Sequence, residues 1–325
     1  MTSNYGTFVQ RPAGPAETSE STWLRWRDMD VHVARIGEPG APVRLVLFHG
    51  AGGNAAAMRP FAEHLAGLGT YVSVPDLPGY GLTRSPDPAG IRYGHWQQLA
   101  QDFVLTEADD RPLVLMGASM GGLLAFEAAA ATSLAAALVV TCLLDPRDDR
   151  VRARLTWHPG LGRVAGPALR LLAGPLARVR VPIRWLADMR HISNDPALVR
   201  TVLRDARGGG GSMSLGWMRS FMEWQPDVEP EDFSTGRVLM VHPAEDRWTP
   251  PEISGPFFER IAAPKQNRDA RERGAFSDRA TRAGPARGGR RATGGGPSVA
   301  LRFGREVSAA SATFRDCGAG LRASP

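Results

Sequence analysis

No histidine follows His242 in a sequence of 325 residues, and the chain carries only 7 in all. Cysteine is scarcer, with Cys142 and Cys317 alone. Two thiols cannot build a disulfide framework, so a reducing, cytoplasmic compartment is expected. Apolar runs long enough and free enough of charge to span a bilayer are also missing. The opening MTSNYGTFVQRPAGPAETSES is polar and lacks the apolar stretch of a secretory signal, so residues 1–21 read as a disordered N-terminus.

Acidic charge is deficient only at one end. Residues 266–325 hold 12 Arg against 5 Asp and Glu, a net of +7, while the whole chain is +6. The preceding 265 residues therefore net −1, and the pI of about 10.1 belongs to the tail. A near-neutral body and a tail without interleaved aromatics argue against nucleic acid as the partner.

Apolar segments then alternate in type. Trp23–Trp26 and Val31–Ile36 read as a hairpin. Val43–Phe48, Tyr71–Pro75, Leu113–Met116, Ala137–Leu144 and Val238–His242 read as buried strands. Helical periods follow at 55–68, 95–105, 121–131 and 251–261. Strands alternating with helices predict an α/β fold, a doubly wound and mostly parallel sheet, with sites at the carboxyl ends of the strands. The alternation runs over 22–147 and resumes over 233–265. Residues 148–232 break it and read as an inserted helical cap, with GGGGS (208–212) as a mobile linker.

Four motifs fall at strand ends. GASMGG (117–122) places Ser119 between an apolar strand and a helix. That is the context in which G-x-S-x-G makes a tight, strained turn that exposes a serine nucleophile; without it the match could arise by chance in a glycine-rich chain. His49-Gly50-Ala51 follows its own strand, and the N–H groups of Ala51 and Met120 are candidates to hold an oxyanion. His49 itself reads as a turn residue. Asp246, in HPAEDRWTP, follows a strand and precedes a helix. It suits the acid that orients a histidine, or more plainly a carboxylate at a helix start. Asp145, at the preceding strand end, is the alternative acid.

HGAGG, PDLPGYG, GASMGG and PAEDRWTP, in that order over residues 23–265, resemble the α/β-hydrolase fold family. The S-M-G-G at the elbow is similar to its lipase and esterase branch, the monoacylglycerol-lipase and lysophospholipase type. The resemblance implies a serine hydrolase with Ser119 as nucleophile, Asp246 as acid, and Ala51 and Met120 as oxyanion hole. Its substrate would be a small-molecule carboxylic ester, cleaved through an acyl-enzyme with no metal and no organic cofactor. A serine at the elbow speaks against the dehalogenase and epoxide-hydrolase relatives, which use aspartate there.

In this fold the histidine follows the acid in chain order, and here none does. His242, His158, His191 and His95 are poor substitutes by their expected positions. Residues 266–325 show no apolar period and read as a non-native basic tail, so the last strand and helix of the fold are expected to be missing or scrambled. Read one base later, the codons that Gln266–Ala292 permit allow RTVMLENAGHFPIERPGLDQLVAAVVR, a strand, an N-A-G-H turn and an amphipathic helix. Its histidine spans the codons of Ala275 and Phe276. A shifted reading frame thus accounts for both the lost base and the Arg-Gly-Ala-rich tail. A chain without the base is expected to be inactive, by on the order of a millionfold.

Within 148–232, Trp157, Trp185, Trp217, Met218, Phe221, Met222 and Trp224 suit either an apolar acyl group or the segment's own core. The arginines of 161–186 read as a solvated face rather than a membrane-surface helix, given the prolines and glycines among them. Two alternatives stay open. One is an aminopeptidase or amidase, which would need Asp188, Glu223 or Glu231 to hold an amine. The other is a non-catalytic ligand-binding protein.

Overall fold

The computed structural model describes residues 5–8, 18–155, 174–186, 188–242, 246 and 248–269. Trp157, His158, residues 161–173 of the 161–186 stretch and the tail beyond Asp269 lie outside the described residues.

The centre is an eight-stranded sheet ordered β1-β2-β4-β3-β5-β6-β9-β10. The strands are β1 (Ser19–Trp26), β2 (Met29–Ile36), β3 (Val43–Phe48), β4 (Thr70–Pro75), β5 (Leu113–Gly117), β6 (Ala135–Val140), β9 (Arg237–His242) and β10 (Lys265–Asp269). β1 and β2 form the expected hairpin, and β2 is antiparallel to β4. Every other neighbouring pair is parallel. Runs such as VRLVLF and LVLMG suit parallel strands buried on both faces. One face is covered by α1 (Ala55–Ala66), whose Phe61, Ala62 and Leu65 pack on Leu45, Val72 and Val114. The other is covered by α2 (Tyr93–Glu107), α3 (Met120–Thr132) and α8 (Pro251–Arg260).

The segment between β6 and β9 holds α4 (Asp149–Leu155), α5 (Ile183–Leu186), α6 (Pro196–Arg204) and α7 (Leu215–Met222). It also holds a small antiparallel pair, β7 (Arg180–Pro182) with β8 (Ser212–Ser214), that three-residue strands do not announce in sequence. Trp217 and Phe221 of α7 stack on each other and meet the Tyr93 ring of α2 edge-on. Trp217, Phe221, Met222 and Trp224 are buried in the same core cluster as α2 and α3. They hold the segment to the sheet rather than lining an open acyl site. Trp185 is 66% exposed.

Three expectations change in detail. β6 ends at Val140, not Leu144; the Thr141 N–H makes a last bond to the Gly117 carbonyl at 3.2 Å, and its hydroxyl accepts the Ser119 N–H. The N-terminal stretch is partly ordered: Tyr5 is buried and donates its hydroxyl to Asp205 at 2.8 Å, and Ser19–Ser21 belong to β1. GGGGS is a packed turn rather than a mobile linker. Gly208 and Gly210 both donate to the Asp205 carbonyl at 2.9 Å, and Gly208 and Gly209 are buried. A methyl added at Gly208 would meet the Gly52 carbonyl at 2.7 Å.

At the far edge, β10 pairs in parallel register with β9, from Lys265 against Val238 to Asp269 against His242. Its five residues, KQNRD, include no apolar side chain. Charged, polar edges discourage sheet-to-sheet association. Among the described residues no helix is long and apolar enough to cross a membrane.

Candidate active site

Ser119 sits between the buried strand β5 and the first residue of α3, at φ +55° and ψ −127°. A non-glycine residue in that region is strained, at a cost on the order of 1–3 kcal/mol. The neighbours enforce it. A Cβ at Gly117 would lie 2.0 Å from the Gly121 carbonyl oxygen, and one at Gly121 would lie 2.3 Å from that of Phe48. Only glycine permits this approach of strand end to helix start. The Ala118 N–H donates to the Phe48 carbonyl at 3.1 Å, and the Ser119 N–H to Thr141 Oγ1 at 3.1 Å. Strands β3, β5 and β6 thus brace the turn together. Met120, as the first helical residue, has no intrahelical acceptor for its N–H, so the helix start directs positive potential toward the serine.

The loop after β3 adjoins this turn. A methyl at Gly50 would come within 2.9 Å of Ser119 Cβ and 3.5 Å of the Met120 nitrogen, so Ala51 follows a residue already against the elbow. His49 fixes the loop. Its Nδ1 lies 2.9 Å from the Gly50 carbonyl, and its Nε2 accepts the Leu77 N–H at 3.1 Å. Those partners demand the neutral ring with its proton on Nδ1. Burial likewise holds the pKa of His49 below the usual value, against the pull of Asp76. His49 is a turn residue, as its position implied.

Asp246 accepts from the Trp248 and Thr249 N–H groups at 2.9 and 2.8 Å and from Thr249 Oγ1 at 2.8 Å. The D-x-x-T spacing is an Asx-type turn and could have been recognised as such. The buried Cys142 lies near both this carboxylate and the elbow. Burial pushes its thiol up to about 12, the Asp246 charge adds to the shift, and the side chains of Thr249, Thr141 and Ser119 oppose it. Ser119 and Asp246 therefore share one buried neighbour. Sequence reasoning passed over Thr141, Cys142 and Thr249, whose only signal is their place just after β6 or Asp246.

Asp145 is engaged elsewhere. One guanidinium takes both its oxygens: Arg147 Nε at 3.0 and 3.1 Å and a terminal nitrogen at 2.8 Å. Arg147 also binds Glu229 at 2.6 Å and lies over the Trp224 ring. A carboxylate so paired is a poor partner for a histidine.

The histidines weighed as substitute bases are dispersed. His242 is buried at the end of β9. His191 is exposed and pairs with Asp188 at 3.1 Å. His95 accepts the Arg92 N–H at the start of α2.

A family model described as serine aminopeptidase, S33 matches residues 41–273. No curated protein matches the sequence. Among solved structures, a soluble variant of monoglyceride lipase from Saccharomyces cerevisiae is 19% identical with a TM-score of 0.63, covering 77% of this chain and 84% of that one. A monoacylglycerol lipase from Paleococcus ferrophilus is 19% identical with a TM-score of 0.57, over 73% and 88% of the two chains. Alpha/beta hydrolase domain-containing protein 10 from mouse is 15% identical with a TM-score of 0.53, over 76% and 87%. Likeness at these identities speaks to the fold. With the matched span covering well over half of the chain, the protein belongs to the serine aminopeptidase S33 family and is, by family, an α/β-hydrolase enzyme.

Proposed function

We propose that this chain carries the machinery of a serine hydrolase for carboxylic esters of apolar alcohols or acids, and that it lacks the base needed for turnover. Ser119 is the nucleophile, Asp246 the acid, and the N–H groups of Ala51 and Met120 hold the oxyanion. Residues 148–232 act as a cap. The observation that carries the reading is the backbone of Ser119 at φ +55° between β5 and α3. A strained serine at such a junction is the recurrent design of a nucleophile elbow. Two solved structures similar in fold are named as monoglyceride or monoacylglycerol lipases, which favours an ester.

The loss of the base rests on the shifted frame. The backbone of 265–269 fills a strand position beside β9, yet its side chains are all polar, whereas over 266–269 the alternative frame supplies R-T-V-M, with two apolar positions. The aminopeptidase alternative shares its word with a broad family name, but the carboxylates it would use are engaged. Asp188 pairs with Arg190, Glu223 with Arg219, and Glu231 with Arg260, so each candidate amine-binding carboxylate already holds a cation.

The test compares hydrolysis of p-nitrophenyl butyrate by this chain and by one whose residues from 266 onward follow the alternative frame. No Ser119-dependent turnover in the first and ready turnover in the second is expected, a gap on the order of a millionfold. Ser119-dependent turnover by the chain as it stands overturns the proposal. Resequencing the gene across the codons for Ile261–Ser298 decides which frame is made.

A further inference from the structure

A second serine in the molecule is joined to a histidine and a buried aspartate. On the β1–β2 hairpin, His32 Nε2 lies 3.1 Å from Ser21 Oγ, and His32 Nδ1 lies 2.7 Å from Asp76 Oδ2. His32 is 4% exposed and Asp76 1%, whereas Ser21 is exposed. The register explains the contact. Trp23 faces His32 and Ser21 faces Ala34, so Ser21, Trp23 and His32 share one face of the hairpin.

The relay is held from every side. The Asp76 carboxylate accepts the Ala55 N–H at 2.6 Å and the Leu82 N–H at 2.8 Å. Burial opposes its charge, but the bonds from His32 and these N–H groups outweigh it and keep the carboxyl below its usual range. The His32 backbone is fixed too: its N–H donates to Thr83 Oγ1 at 3.0 Å, and that hydroxyl donates to the Asp76 carbonyl. An anionic carboxylate on Nδ1 holds the histidine with its proton there and leaves Nε2 free to accept from the serine hydroxyl. That is the division of roles by which an aspartate and a histidine activate a serine.

This relay is separate from the elbow. In the sheet order β1 stands four strands from β5, roughly 19 Å at the usual strand spacing. Beside it, the Trp23 indole is 46% exposed, meets the His32 ring at 5.3 Å between centroids, and carries the Arg84 guanidinium 4.8 Å from its own centroid. An exposed indole next to a nucleophile offers a surface for a flat aromatic group.

We infer that the Ser21–His32–Asp76 relay makes Ser21 a nucleophile that takes the acyl group of activated aryl esters. The Ser21 oxygen bonds to the acyl carbon and its proton passes to His32 Nε2. The bond from the acyl carbon to the aryl oxygen breaks, the aryloxide departs with its electron pair, and the proton on His32 is released to water. The products are an ester on Ser21 and the free phenolate. The relay supplies base assistance, worth about 10²–10⁴-fold in rate, so the expected outcome is a stoichiometric adduct.

The test uses the full chain carrying Ser119→Ala, which removes the elbow nucleophile and keeps this result independent of the proposed function. It is treated with p-nitrophenyl acetate, and the adducts are located by peptide mass mapping. The sequence has a single lysine, Lys265, so competing amine adducts are few. Acetyl on Ser21 is expected to accumulate on the order of 100-fold faster than on Ser19, an exposed serine of the same strand. Ser21→Ala removes the adduct, and His32→Gln slows it by a similar factor. Should His32→Gln fail to fold, the Ser21-to-Ser19 ratio in the Ser119→Ala chain decides alone. Equal acetylation of the two serines, or undiminished labelling of Ser21 in a folded His32→Gln chain, overturns the inference.

Discussion

Trp224, which follows α7 in the inserted segment, donates its indole N–H to the carboxyl of Glu127 in the middle of α3. Tyr93 Oη and Gln97 Nε2 of α2 donate to the same carboxyl, each at 2.6 Å. One buried acid thus ties the insertion to the two helices that cover the sheet behind the elbow.

That tie should be sensitive to pH. Burial lifts the Glu127 carboxyl from 4.5 to about 7, against the three donors, with Asp227 adding to the rise. Between those values the folded protein keeps a proton that the unfolded chain has released. Stability therefore falls as pH rises from about 4.5 through 7, and the loss is complete above 7. Glu127→Gln, neutral throughout, should flatten the dependence, since the Tyr93 hydroxyl can turn to accept from the amide. Urea midpoints at pH 5 and pH 8 measure this. The parent should lose on the order of 3 kcal/mol between them, and a variant with the same slope as the parent would locate the effect elsewhere.

The glycine turn seated on the loop after β3 makes a second prediction. Gly208→Ala puts a methyl 2.7 Å from the Gly52 carbonyl oxygen, a rigid Cβ against backbone, with no flexible tip to yield. A loss of about 1–3 kcal/mol is expected, read as a fall in Tm of several degrees. Gly40→Ala, whose methyl meets nothing within 4 Å, supplies the reference and should leave Tm within a degree or two of the parent.

Sequence showed most of the sheet and less of what surrounds it. Strands such as Val43–Phe48 were legible because a strand buried on both faces is apolar at every position. The elbow was legible because its glycines answer a steric demand that is local in sequence. Four features were not. β7 and β8 are too short to have a period, and Pro182 argues against a strand. The glycines at 208–211 look alike whether a turn is packed or loose; what decides is the Gly52 carbonyl, some 150 residues away. The aromatics of α7 are the same residue types whether they line a pocket or pack edge-on against Tyr93. The pairing of His32 with Asp76 spans 44 residues and is made by register, which no motif encodes.

The elbow's strain can be relieved directly. At φ +55° and ψ −127° glycine is at ease where serine is not. Ser119→Gly should raise Tm by a few degrees, the mark of about 1 kcal/mol. A fall instead would mean that the serine side chain contributes more to the packed turn than its backbone costs.

The turn around Ser119 is built from Gly117, Gly121, Phe48 and Thr141, all of which precede the segment where the reading frame is in question. Its shape does not depend on any base. A lineage that lost the histidine would keep a cocked serine, held by neighbours with their own reasons to stay. Such a loss would be reversible: restoring one stretch of chain would set a base beside a serine whose geometry had never changed.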